Sequence, residues 1–346
     1  MTDKDWFLIQ DFAKGTIKNN HFVGFIIDSP WLPGYAGIST LDYYASDHLW
    51  YEANRKAISQ FQHILFFPGF WSEFGMCTEP SAFGSKCIWR ESDLPHAEKI
   101  IKDIKDIKII KKPDPRSDGL LPLIIKRLKL NQRQMQKIGH EPRFAVARGP
   151  LNIASYLLGT TEFMTALVMY PEESHQILKT ISAFLSDWLV YQKEQFQSID
   201  GIFLLDDLVG FIGEGEFVEF ALPYLKRIFS SFETSIRFFH NDASGLICSK
   251  YLDKINVNLF NFSFEHSFNE IRQLAGKNVV LMGNLPPRDI LAKGTVQEVR
   301  GATIKMIQSV NNKKKIIWSC GGGMPPLVPV ENIEAFYDTV IKMTDG

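Results

Sequence analysis

The sequence is poor in cysteine and carries almost no net charge. Its 346 residues include only four cysteines, and 38 basic against 39 acidic residues give a formal charge of −1. Four scattered cysteines do not suffice for the disulfide framework of a small secreted protein. A near-neutral chain has no overall basic field to attract nucleic acid or an acidic membrane surface. We therefore expect neither nucleic-acid binding nor a disulfide-stabilised fold.

The chain also lacks the hydrophobic segments that export and membrane insertion require. Residues 1–6 do not show the basic and then apolar pattern of a signal peptide. No apolar run approaches the roughly 18 residues needed to span a bilayer. These absences predict a cytoplasmic protein without a membrane span. The composition, with 45% hydrophobic and 22% charged residues, suits a globular protein with a large core.

Short apolar runs rich in β-branched and aromatic residues recur along the chain, and most are separated by helical patterns. There are eight candidate strands: Phe22–Ile27, His63–Phe67, Phe144–Ala147, Ile202–Leu205, Ile236–Phe239, Val257–Phe262, Val279–Met282 and Ile316–Ser319. The later runs are almost continuously hydrophobic, which is typical of parallel strands buried on both faces. Eight strand–helix repeats in a chain of this length predict an α/β fold, a (β/α)₈ TIM barrel.

Helix signals lie between the strands. Ser267–Glu270 and Thr295–Glu298 have the pattern of capping boxes, and Pro171 opens an amphipathic stretch that reaches about Gln197. Residues 68–143 break the repeat between the second and third strands, with turn clusters and one basic helical piece over Ile124–Ile138. We expect one barrel domain over residues 1–346, with 68–143 as an insertion at its mouth. An open doubly wound sheet is the alternative, but no G-x-G-x-x-G motif follows any candidate strand.

Polar residues follow the later strands at the ends where barrel enzymes carry their catalytic groups. The fourth strand is followed by Asp206 and Asp207, the fifth by His240 and Asp242, and the eighth by Cys320. His240 and Asp242 are two residues apart, so they point to the same face of an extended backbone. Ligands of the N, O and S types with an open fourth position describe a catalytic zinc site. We therefore predict His240, Asp242 and Cys320 as zinc ligands.

Each of these residues also has a simpler interpretation. A histidine at a strand end is often a hydrogen-bonded structural residue, and a buried cysteine often serves as a small apolar side chain. Asp206 and Asp207 are candidates for protonating a leaving group or orienting substrate. Alternatively, one of the two acids caps the following helix and the other pairs with an arginine such as Arg148.

Further residues are predicted to contact substrate. Glu265 follows the sixth strand and is an alternative third metal ligand, and Asn284 follows the seventh and could instead stabilise a loop. Trp31 and Trp71 belong to an aromatic series in the predicted mouth loops, which favours an apolar cleft, although such residues more often lie in a core. The glycine-rich stretch 321–326 is either a tight turn or a place where a flat ligand or a phosphate approaches the backbone.

Several segments together resemble the uroporphyrinogen decarboxylase superfamily. They are Arg148–Ala154, Phe220–Ile228, His240–Asp242, Gly283–Pro287, Cys320–Pro326 and Val328–Ile333, in this order and spacing. Decarboxylases of the superfamily carry an Arg-Gln-Ala-Gly-Arg-Tyr motif that grips substrate carboxylates. Here Pro30–Tyr35 stands in the comparable place without an arginine. The resemblance therefore favours the other branch, the zinc-dependent methyltransferases that work with corrinoid proteins.

Those methyltransferases carry His-x-Cys after the fifth strand and a cysteine after the eighth as zinc ligands. This chain matches at His240 and Cys320 but has Asp242 in place of the first cysteine. A carboxylate is a harder ligand than a thiolate, so the substrate atom at the metal is predicted to be oxygen rather than sulfur.

The resemblance then implies a methyltransferase component of an O-demethylase. It would transfer a methyl group from a small methoxylated, aromatic substrate to cob(I)alamin on a corrinoid partner protein. The alternatives are transfer from a methylcobamide to a thiol, as with coenzyme M, and a lyase similar to uroporphyrinogen decarboxylase. A homodimer is compatible with the sequence, which does not determine the oligomeric state.

Overall fold

Eight parallel strands form the centre of the molecule, as predicted. The computed structural model describes residues 1–17 and 22–344. Its barrel strands are β1 (Gly24–Ile26), β2 (Leu65–Phe67), β3 (Phe144–Arg148), β4 (Gly201–Leu205), β5 (Ile236–Asn241), β6 (Leu259–Phe262), β7 (Val280–Leu285) and β8 (Ile316–Cys320). Each predicted run overlaps one of these strands. The (β/α)₈ barrel inferred from the alternating pattern is thereby confirmed.

Helices surround the strands. They are α1 (Asp3–Lys14), α2 (Leu32–Ala36), α3 (Thr40–Ala45), α4 (Asp47–Gln60), α5 (Thr78–Ala82), α6 (Leu121–Lys137), α7 (Pro150–Leu158), α8 (Thr160–Met169), α9 (Pro171–Gln195), α10 (Glu214–Glu216), α11 (Leu222–Phe229), α12 (Phe268–Ala275), α13 (Val296–Ser309) and α14 (Val330–Thr344). Short 3₁₀ segments lie at Ile104–Ile109, Asp207–Phe211 and Ile247–Tyr251, and π-helical turns at Phe217–Ala221 and Pro287–Ala292. Within the described residues, no helix is long and apolar enough to cross a membrane.

The helix signals predicted from the sequence are present in the structure. Both predicted capping boxes are formed, at Ser267 before α12 and at Thr295 before α13. Helix α6 occupies the basic piece predicted within residues 68–143, and a short antiparallel pair joins Cys87–Ile88 to His96–Ala97 in the same stretch. This stretch leaves the barrel after β2 and returns at β3.

The strands pair in the order β2, β1, β8, β7, β6, β5, β4, β3. Bridges from Val23 to Trp318 and from Ile26 to Gly323 join β1 to β8. In the described part of the chain no backbone pairing joins β2 to β3. The free edge of β3 is instead satisfied by side chains: Gln192 of α9 bonds both the N–H and the C=O of Val146 at 3.0 and 2.9 Å. We call this gap between β2 and β3 the seam.

Phenylalanines fill the inside of the barrel. The rings of Phe203 and Phe238 stack with centroids 4.3 Å apart, and Phe67 and Phe144 pack around them. Helix α1 covers the N-terminal end, where the Trp6 ring meets Phe144 edge-on at 5.1 Å. Alternate strand residues face outward and form a larger core with the helices. Since the interior is packed and one end is covered, the C-terminal mouth is the place for a site.

A candidate metal centre at the barrel mouth

His240 lies on the inner face of β5, near the mouth. It follows Ile236 and Phe238 at two-residue spacing, and both of these belong to the interior core. Backbone pairing places it between Leu205 of β4 and Asn261 of β6. The imidazole is 6% exposed. The strand register therefore fixes His240 at the top of the packed interior.

Asn261 determines which nitrogen of His240 faces the mouth. Its amide N–H₂ donates to the carbonyls of Met282 at 3.0 Å and Cys320 at 3.4 Å, so its Oδ1 is left to accept. That oxygen lies 2.7 Å from His240 Nδ1, which must be the protonated nitrogen. The Nε2 atom is then the one that is presented to the mouth. A histidine that binds a metal through one ring nitrogen usually donates a hydrogen bond from the other, as Nδ1 does here.

Two carboxylates face His240 Nε2. Asp207 Oδ1 lies 3.5 Å away and Asp242 Oδ2 3.9 Å away, and one ligand atom from each of the three residues lies within 4.8 Å of the others. The backbone N–H of Asp242 donates to Asp207 Oδ1 at 3.2 Å and holds the two acids together. The side chains of Asp207 and Asp242 are 39% and 43% exposed, so the group opens towards solvent. We call these three residues the Asp–His–Asp trio.

The trio needs a positive charge. Burial raises the pKa of Asp207, and the Asp242 carboxylate adds to that effect while His240 opposes it. A neutral imidazole would direct its Nε2 lone pair at two negatively charged oxygens, which is repulsive. A proton on Nε2 or a divalent cation relieves the repulsion. One nitrogen and two carboxylate oxygens with an open side fit a divalent metal such as zinc.

Cys320 does not join the trio. It lies on the outer face of β8 with Trp318, in the core between the strands and the helices. Its thiol donates to the Gly322 carbonyl at 3.3 Å, and burial raises its pKa to about 12. Glu265 is exposed and is not part of the trio either. The structure thus brings together His240 and Asp242 from the predicted set and adds Asp207, and the ligand role of Cys320 stays a prediction.

Gly322 makes room for Asp242. A side chain at this position would place its Cβ 2.6 Å from Asp242 Oδ2, and the backbone φ of +129° favours glycine. The glycine-rich loop after β8 was predicted to receive a flat ligand or a phosphate. In the structure a carboxylate of the protein itself lies against it.

Asp206 caps a helix. Its carboxylate accepts the backbone N–H groups of Leu151 at 2.9 Å and Asn152 at 3.0 Å, in the first turn of α7. Gly149 permits this contact, because a Cβ there would lie 2.2 Å from an Asp206 oxygen. Burial raises the pKa of Asp206 to about 8. Asp206 therefore caps a helix, as foreseen for one acid of the pair, but the helix is the preceding α7 and not the following one. Its geometry gives no support to a role in proton transfer to substrate.

The predicted substrate contacts are dispersed. Trp31 is buried on the outer face of β2 beside Phe66, and its indole N–H donates to the Val328 carbonyl at 3.1 Å. It therefore does not reach the mouth. Trp71 packs edge-on against Phe203 in the interior core. Asn284 follows Gly283 at the end of β7 and donates to the His266 carbonyl, which is the loop-stabilising alternative.

A second polar group lies on the other side of the mouth. The Arg148 guanidinium, at the end of β3, is 2.8 Å from Glu73 Oε2 and 3.6 Å from Glu79 Oε2. Ser29 and Tyr44 donate to Glu73 Oε1 at 2.6 and 3.4 Å. Glu79 Oε1 also accepts the backbone N–H of Arg148 at 3.1 Å, which satisfies the edge of β3 at the seam.

Asp28 completes this second group. It follows β1, is half-buried, and lies near enough to Glu73 and Arg148 for their charges to act on it. Burial and the Glu73 charge raise the pKa of Asp28 well above its usual range, and Arg148 opposes them. Together Asp28, Glu73, Glu79 and Arg148 form what we call the acidic cluster. Asp28 was not predicted, although it stands directly after the first predicted strand, where the strand-end rule could have found it. Glu73 and Glu79 lie in the irregular stretch and gave no such signal.

A (β/α)₈ barrel with two polar groups at its C-terminal mouth is the architecture of a barrel enzyme. The sequence profile described as "Uroporphyrinogen decarboxylase (URO-D)" matches residues 34–343. The chain therefore belongs to the uroporphyrinogen decarboxylase family.

Individual relatives are distant. The chain is 25% identical to uroporphyrinogen decarboxylase of Schizosaccharomyces pombe over 279 residues, which cover 75% of each protein. It is 20% identical to that of Roseiflexus sp. over 271 residues, which cover 74% of this chain and 75% of the relative. Among solved structures it is similar to a methyltransferase from Methanosarcina mazei, with a TM-score of 0.80 over 96% of this chain and 97% of that one, at 15% identity. The structural likeness supports the fold.

Proposed function

We propose that the protein is a metal-dependent methyltransferase that removes a methyl group from a small methoxylated substrate, an aromatic ether above all. The acceptor would be cob(I)alamin carried by a separate corrinoid protein. The observation that carries the proposal is the Asp–His–Asp trio, in which His240 Nε2 faces two carboxylates 3.5 and 3.9 Å away. This arrangement suits a divalent cation at the point where a barrel enzyme performs its chemistry.

The donor set argues for chemistry at oxygen. With Asp207 and Asp242 beside His240, the trio offers two hard oxygen ligands and one nitrogen, and the Cys320 thiol lies outside it. When bound, zinc would supply Lewis acidity that stabilises negative charge on the oxygen from which the methyl group departs. A set with thiolates would instead favour a soft sulfur atom. For this reason we propose an ether oxygen, and not a thiol sulfur, as the substrate atom at the metal.

The chain's own residues would orient the reaction. Asn261 holds the ring of His240 so that Nε2 faces the mouth, and the Asp242 N–H holds the Asp207 carboxylate beside it. The partly exposed carboxylates leave an open side towards the substrate. Trp71 and the stacked phenylalanines beneath form an apolar floor that excludes water from below.

The related proteins suggest two different activities. The M. mazei protein of similar fold is named a methyltransferase, and the sequence relatives are named decarboxylases. Decarboxylation of a substrate with several carboxylates requires cations that grip it. The cluster's one guanidinium, Arg148, is already paired with Glu73 and Glu79, and Asp28 adds a further acid. An acidic mouth repels such a substrate and favours methyl transfer.

Metal content is the first test. Purified wild type would be compared by elemental mass spectrometry with His240→Ala, Asp207→Asn and Cys320→Ser. We expect about one zinc per chain in wild type and in Cys320→Ser, and loss of the metal in the other two variants. Retention in Asp207→Asn with loss in Cys320→Ser would restore the ligand set predicted from the sequence. Absence of metal from wild type that has never met a chelator would contradict the proposal.

Methyl transfer is the second test. Guaiacol and cob(I)alamin would be mixed with the enzyme, and the conversion to methylcobalamin followed by its visible spectrum. We expect transfer with wild type and none with His240→Ala. Guaiacol that stays inert, while coenzyme M accepts a methyl group from methylcobalamin, would establish the thiol-directed alternative. Release of carbon dioxide from uroporphyrinogen would establish the lyase.

A further inference from the structure

A cavity lies at the N-terminal end of the barrel, at the base of the seam and away from the Asp–His–Asp trio. It is lined by the start of α1, the end of α4, the first residues of β2 and the segment between α6 and β3. Its volume is about 400 Å³. Sites for small molecules typically measure about 300–1,000 Å³. We call it the base cavity.

Backbone contacts hold the walls of the base cavity together. The nitrogen of Met1 donates to the Glu141 carbonyl at 2.9 Å, and the Glu141 N–H donates to the Met1 carbonyl at 3.0 Å. Gly69, with a φ of +98°, lets Met1 lie close, because a Cβ there would be 3.0 Å from the Met1 nitrogen. The start of α1 is therefore tied to the segment before β3 and packed against the segment after β2.

His140 is the buried polar side chain of the base cavity. It is only 9% exposed, and its ring meets Phe70 edge-on with centroids 5.9 Å apart. Within the described residues neither ring nitrogen has a hydrogen-bond partner, and Nδ1 is enclosed by protein atoms. Buried polar atoms without partners are rare in folded proteins. His140 therefore needs a partner that the described part of the chain does not supply.

The His140 ring offers a donor to the cavity. Burial disfavours the charged imidazole and lowers the pKa of His140 to about 4. The neutral ring carries one hydrogen, on either Nδ1 or Nε2. Because an enclosed N–H without an acceptor is costlier than an enclosed lone pair, the hydrogen belongs on Nε2. A molecule in the cavity must then present an acceptor.

The rest of the lining is apolar at the floor and charged only at the rim. The buried rings of Phe61 and Phe66 meet edge-on at 5.9 Å and form part of the floor. Lys4 and Asp5 bring one charge of each sign to the rim. Lys4 is exposed to solvent, and the Asp5 carboxylate accepts the Thr2 hydroxyl at 2.7 Å. Neither supplies the buried countercharge that a charged ligand would need.

We propose that the base cavity binds a small uncharged aromatic molecule, whose oxygen accepts the His140 Nε2–H and whose ring lies against Phe61 and Phe66. Such a ligand supplies the contact that His140 lacks and leaves no charge without a partner. The site is separate from the trio, so the inference does not depend on methyl transfer. Because its walls belong to both sides of the seam, an occupant would join the two sides.

The test measures binding of three probes that share one planar shape and differ in one group. Acetophenone has an acceptor oxygen, α-methylstyrene has a methylene group in its place, and benzoate has a charge. Isothermal titration calorimetry would give the dissociation constants for wild type, for His140→Phe and for a control, His96→Phe. His96 is an exposed histidine that does not line the cavity.

The comparison of variants isolates the hydrogen bond from the apolar contacts. We expect His140→Phe to weaken acetophenone about fivefold, the size of one neutral hydrogen bond, and to leave α-methylstyrene unchanged. His96→Phe should change neither affinity, and benzoate should bind most weakly to wild type. The inference is overturned if acetophenone does not bind, if benzoate binds as tightly, or if His140→Phe weakens acetophenone and α-methylstyrene equally.

Two further variants locate the bound molecule. His240→Ala changes the trio and should leave acetophenone binding as in wild type, whereas loss of binding would place the molecule at the mouth and contradict the inference. Ser59→Trp adds a large side chain at an exposed position in the cavity lining. It should weaken acetophenone and α-methylstyrene together, and it keeps the test decisive if His140→Phe does not fold. Unchanged binding in Ser59→Trp would also reject the site.

Discussion

The two polar groups at the barrel mouth are built from similar residues but are stabilised in different ways. The acidic cluster contains a permanent cation, Arg148, which pairs with Glu73 and Glu79 at 2.8 and 3.6 Å. The trio contains no permanent cation, because His240 carries a positive charge only when Nε2 is protonated. One group therefore contains a cation of its own, and the other depends on what it binds.

This difference separates a structural contribution from a binding one. Arg148 joins β3 to the stretch after β2, so the cluster also helps to hold the seam together. The trio is supported from the sides by Asn261 and Gly322 and leaves its centre open. Changes in the cluster should thus appear first in folding stability, and changes around the trio first in metal affinity.

The largest expected effect comes from Arg148→Gln. Loss of the guanidinium leaves Glu73 and Glu79 buried without their cation, which costs about 3–5 kcal/mol of unfolding free energy. Urea denaturation measures the change. Arg116→Gln is the control, since Arg116 and its partner Glu194 are 58% and 49% exposed and such pairs contribute about 1 kcal/mol or less. Equal stabilities for the two variants would show that the cluster does not brace the seam.

Asn261→Ala should weaken metal binding while leaving all three candidate ligands in place. Without the amide oxygen, the ring of His240 loses the hydrogen bond that orients it, and losses of this kind lower metal affinity about 10–100-fold. Competition with a chromophoric chelator measures the affinity. Asn258→Ala removes comparable hydrogen bonds at the other end of β6 and should leave the affinity unchanged. An unchanged affinity in Asn261→Ala would mean that His240 is not a ligand.

Gly322→Ala should have a smaller effect at the trio. The new methyl group would meet Asp242 Oδ2 and displace it, so metal affinity is expected to fall, but by less than in Asn261→Ala. Gly323→Ala is a close control, because a Cβ at that position meets no atom within 4 Å. The same competition assay applies to both variants. If both behave alike, Asp242 does not contribute to the metal site.

Asp28→Asn gives the smallest effect, and it depends on pH. The folded pKa of Asp28 is raised, so the stability linked to this group is present below its unfolded pKa and is lost as pH rises through the folded value. The asparagine variant should therefore match wild type near pH 4 and exceed it in unfolding free energy at pH 8. Thermal melts at the two pH values measure this. A constant difference would show that Asp28 does not titrate with folding.

The barrel could be predicted from the sequence because its signals are local and repeated. Each apolar run is long enough to identify a strand, and the capping boxes at Ser267 and Thr295 mark helix starts without knowledge of the tertiary structure. His240 was found because it follows the fifth predicted strand, and the two-residue period puts it on the same face as Asp242. These features depend on neighbours within a few residues.

The remaining features depend on tertiary contacts. Ile316, Trp318 and Cys320 share the outward face of β8, but the apolar run before Cys320 does not reveal which face is inside. Asp206 caps α7, which belongs to the preceding strand–helix unit. Neither relation can be obtained from spacing alone. The sequence could therefore identify which strand ends matter, but not which side chains meet there.

The seam gives the barrel a property that a closed ring of strands would not have. Its backbone ladder is a ribbon with two ends, and side-chain contacts such as that of Arg148 with Glu73 join those ends. The barrel can therefore widen at the seam without breaking the backbone pairing of any two strands. Glu79 caps that same edge and also belongs to the acidic cluster. A charge that binds at the mouth therefore acts directly on the side-chain contacts that close the seam.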